Sequence, residues 1–61
     1  MSADPQLEDH VVGLELQIVE LVEQRERALV QHDDADAARI QGEIEALQLE
    51  LATTAEQLAR D

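Results

Sequence analysis

Apolar residues recur along this 61-residue chain with a helical period. Leu7, Val11, Leu14, Ile18, Leu21, Arg25, Ala28 and His32 follow one another at steps of 4, 3, 4, 3, 4, 3 and 4, and all but Arg25 and His32 are apolar. Alternating steps of three and four keep side chains on one stripe of an α-helix and make the heptad of a coiled-coil seam. With Val11, Ile18 and Arg25 at a and Leu7, Leu14, Leu21 and Ala28 at d, Val12 and Val19 fall at b, and Val22 and Leu29 at e. That face is broader than a two-stranded seam requires and predicts contact with more than one other helix. The second half repeats the pattern through Ala37, Ile40, Ile44, Leu47, Leu51, Thr54 and Leu58. Its flanks are more polar, with Glu43, Glu50 and Gln57 at g and Gln41 and Gln48 at e. Gly42, at f, is expected to face solvent at a cost of about 1 kcal/mol relative to Ala.

The two seams do not share a register. Continuing the first by sevens would put Arg39 at a and Gly42 at d, whereas the second places Ala37 at a and Ile40 at d. The break falls at "HDDADA", His32 to Ala37, where Asp33 or Asp34 suits an N-cap and Asp36 the first turn of a new helix. At the other end, Asp4 followed by Pro5 supplies a cap and a first helical residue whose missing N–H costs nothing. The expected organisation is a single unit: a helix over about 5–31, an acidic turn over about 32–35, and a helix over about 35–60. The fold class that follows is all-α, a two-helix antiparallel coiled-coil hairpin roughly 40 Å long. The turn contains neither Gly nor Pro. A continuous, locally bent helix pairing with another chain therefore stays open beside the hairpin.

Composition supports helix and narrows the partners. Pro occurs once, Gly twice and the aromatic residues not at all, while Thr is confined to Thr53 and Thr54, so a sheet lacks its usual formers. With no Cys there is no disulfide and no thiolate metal site. A chain this short is near the limit at which one core sustains itself alone. Dimerisation of the hairpin into a four-helix bundle, with Val12, Val19, Val22 and Leu29 against a second hairpin, is the expected remedy. Fifteen acidic residues against four Arg give a charge of −11. That balance disfavours direct binding to nucleic acid or anionic membrane, both of which need clustered cations. The opening "MSADPQLEDH" is acidic where a secretory leader is basic and then apolar, which points to a cytoplasmic protein.

Candidate chemistry is sparse. His10 at g and His32 at the helix end lie about 33 Å apart along one helix, too far to cooperate within one arm. His32, when protonated, gains from the helix dipole. Asp33, Asp34 and Asp36 form an acidic tip without the central Gly and terminal Glu of a calcium loop, so capping and solvation are their expected roles. Arg25 interrupts the seam at an a position, where a polar residue can fix register. Glu43 and Glu50 are its candidate partners, unless its stem packs and its head stays in water. No Glu-x-x-His pair faces a core, and a thin hairpin offers no cleft to displace carboxylate pKa values. No cofactor, no metal site and no enzymatic activity are expected.

Leu21, Ala28, Asp33, Ala37, Ala38, Arg39, Ile40, Ile44 and Leu47 are spaced so that Leu21 to Leu47 resembles the UVR motif. That motif is the short helical hairpin through which the excision-repair subunits UvrB and UvrC associate. Asp34 and Ala35 stand where it has Phe-Glu, and Gln41 and Gly42 where it has Arg-Asp. The resemblance implies a hairpin and a role in protein association. Asp33, Asp36 and Ala38 spell D-x-x-D-x-A, which looks like the coiled-coil tip of DksA-type RNA polymerase factors, although their zinc-binding domain has no counterpart here.

The functional expectation is a non-enzymatic interaction module that binds itself and a larger protein. Leu7, Val11, Leu14, Ile18, Leu21, Val22, Ile40, Ile44, Leu47, Leu51 and Leu58 are its interface residues. The alternative is a regulator of a nucleic-acid enzyme acting through Asp33, Asp34 and Asp36, as a channel-inserting tip or a DNA mimic.

Overall fold

The computed structural model describes residues 5–60. Within them the chain forms two helices packed against each other, α1 (Pro5–Val30) and α2 (Asp34–Ala59), each of 26 residues, and no strand. The expected cap Asp4 lies outside the described residues. His10, early in α1, meets Glu50, late in α2, and Arg25, late in α1, meets Gln41, early in α2. These crossed pairings make the hairpin antiparallel. Its extents are 49 × 14 × 11 Å, the long axis set by helices of about 39 Å each.

Three residues, Gln31, His32 and Asp33, turn the chain. The Asp33 N–H donates to the Ala28 carbonyl at 2.8 Å and the His32 N–H to the Leu29 carbonyl at 3.1 Å. This is the Schellman pair of bonds, which uses carbonyls that the end of α1 would otherwise leave unpaired. His32 sits at φ 60°, in the left-handed region that the motif requires and that usually falls to Gly. The continuous bent helix is thereby replaced by a hairpin, with His in a position that Gly more often fills. Asp33 then caps α2, its Oδ1 accepting the Asp36 N–H at 3.1 Å. One consequence is measurable. His32→Gly relieves about 1 kcal/mol of left-handed strain and adds about 0.5 kcal/mol of unfolded-chain entropy, so thermal unfolding should show a net gain of about 0.5 kcal/mol. A loss of stability would show that the His32 side chain holds the turn.

Ala28, Ala37, Ile40 and Ile44 form the buried cluster beside the turn, with Ile18, Leu21 and Val22 packed on it. Small Ala28 and Ala37 let the helices approach closely where only three residues join them. Further from the turn, Leu14 and Thr54 are buried, and Leu7, Val11, Leu47, Leu51 and Leu58 are half-buried. Thr54 is a polar residue at a d position, and its hydroxyl donates to the Glu50 carbonyl at 2.9 Å within its own helix. Its burial therefore leaves no polar atom unpaired. His32 prolongs the spacing of the first seam but is exposed, because α1 has already ended at Val30.

Candidate interaction surface

Packing α1 on α2 consumes their a and d positions and leaves the hairpin with two broad sides. In an antiparallel pair, e residues of one helix adjoin e residues of the other along one edge, and g residues adjoin g residues along the opposite edge. The cross-helix contacts follow this rule. On the g edge, His10 Nε2 lies 2.8 Å from Glu50 Oε2, both side chains about half exposed. On the e edge, Arg25 leans from its a position and donates to the Gln41 Oε1, while its other guanidinium nitrogen lies 3.3 Å from Glu26. Glu43 and Glu50, the sequence candidates for Arg25, stand at g on the opposite edge, so Arg25 meets neither. The His10–Glu50 pair was invisible to spacing within either helix. Aligning the two g positions across an antiparallel turn would have found it.

The acidic tip is largely occupied by its own structure. Asp33 is the cap of α2, and Asp36 Oδ1 accepts from Arg39 at 2.7 and 3.1 Å. Arg39 also reaches Glu43 at 3.0 Å. Hydrogen bonding and charge attraction from Asp36, followed by the charge of Glu43, hold the Arg39 guanidinium above its ordinary pKa. Asp34 is exposed in the first turn of α2. Among the described residues no group of three or more His, Asp or Glu is arranged to hold a metal ion.

The two broad sides differ in kind. The g and c side carries Arg27, Arg39 and, at the C-cap of α2, Arg60, interspersed with Glu20, Asp36, Glu43 and Glu50. A shallow groove of about 450 Å³ opens there, lined by Gln17, Glu20, Leu21, Gln24, Glu43, Ala46 and Leu47. The e and b side instead carries an apolar ridge from α1. Val12 and Val19 are each 55% exposed and Leu29 is 45% exposed, while Val22 at their centre is half-buried on the core. Leu16, 60% exposed, continues the ridge onto its outer shoulder. The facing flank of α2 offers the small, exposed Ala38, Ala52 and Ala55. Glu8, Glu15 and Glu45 punctuate this side, and none of them has an ion-pair partner among the described residues.

No protein family, curated protein or solved structure matches the chain. The surface must speak through its own chemistry. No helix among the described residues is long and apolar enough to cross a membrane. The seam residues Leu7, Val11, Leu14, Ile18, Leu21, Ile40, Ile44, Leu47, Leu51 and Leu58 lie between α1 and α2, where they hold the hairpin together. Val22 belongs to both surfaces, packing inward on the cluster and outward on the ridge.

Proposed function

We propose that this chain is a non-enzymatic association module, a preformed helical hairpin that covers its e and b side with helices from another chain. One observation carries the reading: after the seam has been filled, Val12, Leu16, Val19 and Leu29 still stand 45 to 60% exposed on one side of α1. Single exposed apolar residues are ordinary, but a contiguous ridge at helical spacing marks a docking surface. The resemblance of Leu21 to Leu47 to the association hairpin of UvrB and UvrC points the same way.

For the chain alone, the expected arrangement is a dimer in which two ridges pack into a four-helix bundle. Each copy brings a charge of −11 to that bundle. Like charge opposes assembly at low salt and is screened at high salt, so the dimer should tighten as salt rises. Sedimentation velocity with interference optics is the test, since the chain has no aromatic residue to absorb at long wavelength. The expected result is a shift from the 6.8 kDa monomer toward twice that mass as concentration and salt increase. A monomer throughout, with no response to salt, would count against self-association.

The tip reading receives less support. Asp33 and Asp36 are committed to capping and to Arg39, leaving Asp34 as the carboxylate without a partner at the turn.

A further inference from the structure

Positive charge is distributed unevenly about the hairpin. Arg27, Arg39 and Arg60 occupy the g and c side, and Arg25, the cation that reaches the e edge, is held by Gln41 and Glu26. Among the described residues the apolar ridge is consequently bordered by carboxylates and by no free cation. We propose that the ligand of this side is a basic amphipathic helix from another protein, its apolar stripe on the Val12, Val19 and Leu29 ridge and its Lys or Arg flanks against Glu8, Glu15 and Glu45. The inference rests on the association function above and names the partner.

Charge favours this occupant over the second copy with which the chain pairs when it is alone. Stacking two e and b sides brings the carboxylates of Glu8, Glu15 and Glu45, none of them neutralised by an ion pair among the described residues, from both copies into one contact, and like charges within an interface are costly. A basic helix meets the same carboxylates with opposite charge, which steers encounter and fixes orientation while the ridge supplies the apolar contact. Small Ala38 near the Leu29 end and Ala52 and Ala55 near the Val12 end put no bulky side chain in the way of that helix. The two occupants also respond oppositely to salt: screening strengthens the dimer and weakens the hetero-complex.

The test uses the whole chain and three fluorescein-labelled three-heptad peptides. The first has Leu at a and d with Lys at e and g, the second has Glu in place of Lys, and the third is a scramble of the first with no apolar stripe. Anisotropy titration should show binding of the Lys peptide alone, weakening about tenfold or more between 50 and 500 mM NaCl. Val12→Gln with Val19→Gln changes two exposed positions and should keep the helical circular dichroism while weakening binding about tenfold or more. Glu15→Gln with Glu45→Gln should weaken it at low salt and flatten the salt dependence. Glu20→Gln with Glu43→Gln removes the same charge from the other side and should leave binding unchanged.

Equal binding of the scramble would reduce the effect to attraction between polyions and overturn the proposal, as would equal loss in the Glu20 and Glu43 variant. A stable dimer that the Lys peptide fails to open, and that Val12→Gln with Val19→Gln dissociates, would assign the ridge to a second copy. Association would then stand and the basic partner fall. A monomer at every salt concentration that binds no peptide would remove both.

Discussion

Ile44→Asp is expected to abolish the helical circular dichroism of the chain. Ile44 is 2% exposed and sits in the cluster that also contains Ala28, Ala37 and Ile40. The substitution deletes an apolar side chain, worth about 2–5 kcal/mol in a core, and places a carboxylate where water does not reach. A folded domain is held by only about 5–15 kcal/mol, and a hairpin of this size belongs at or below the lower end. Neither helix persists alone, because most helical stability in such a chain comes from packing an amphipathic face. Leu49→Asp is the matching control. Leu49 stands at f and is 70% exposed, so the same change of chemistry there should leave the spectrum near that of the parent. A helical Ile44→Asp chain with an unchanged melting temperature would refute the assignment of Ile44 to the seam.

The largest expected gain comes from two glycines. A Cβ built on Gly13 or Gly42 meets nothing within 4 Å, and neither residue has a positive φ. Gly13 lies at c and Gly42 at f, both exposed and both inside regular helix. Replacing Gly by Ala at such sites relieves about 0.8–1.0 kcal/mol each through reduced unfolded-state entropy. The positions are distant along the sequence and have no shared contact at their added methyls, so the effects should add to about 2 kcal/mol in Gly13→Ala with Gly42→Ala. In a chain this small, an increment of that size raises the melting temperature by several degrees or more. Unchanged stability would mean that the glycines serve something other than the isolated hairpin, and a helix lying over the c and f positions would be the place to look.

Much of the hairpin was legible in the spacing of its residues. Each apolar position of the two seams is buried or half-buried, because a period of 3.5 residues can be satisfied in only one way, by one face of a helix against another. The shift of register across His32 to Ala37 located the turn, since a continuous seam would have to place Arg39 and Gly42 in the core. The turn's own conformation was less legible. His32 is a poor signal for a left-handed residue, and it adopts φ 60° because the paired bonds from Asp33 and His32 to the end of α1 are worth more than the strain. Arg25 marked an interruption in the seam without showing where its head would go. Its partner is Gln41 because both lean to the e edge, whereas Glu43 and Glu50 lie along the g edge.

What the sequence determined by itself is therefore local and periodic: two helices, their inner faces, a break between them, and an excess of acid. Each of these depends on residues a few positions apart, whose relation the helical repeat sets before any long-range contact forms. What only the tertiary structure decided is which side each outer residue belongs to. The antiparallel closure brings His10 to Glu50, confines Arg27 and Arg39 to one side, and leaves the ridge of Val12, Val19 and Leu29 bordered on the other by carboxylates without an ion-pair partner among the described residues. Charge and apolar surface sort into two faces only when the second helix fixes which edge of the first it lies against.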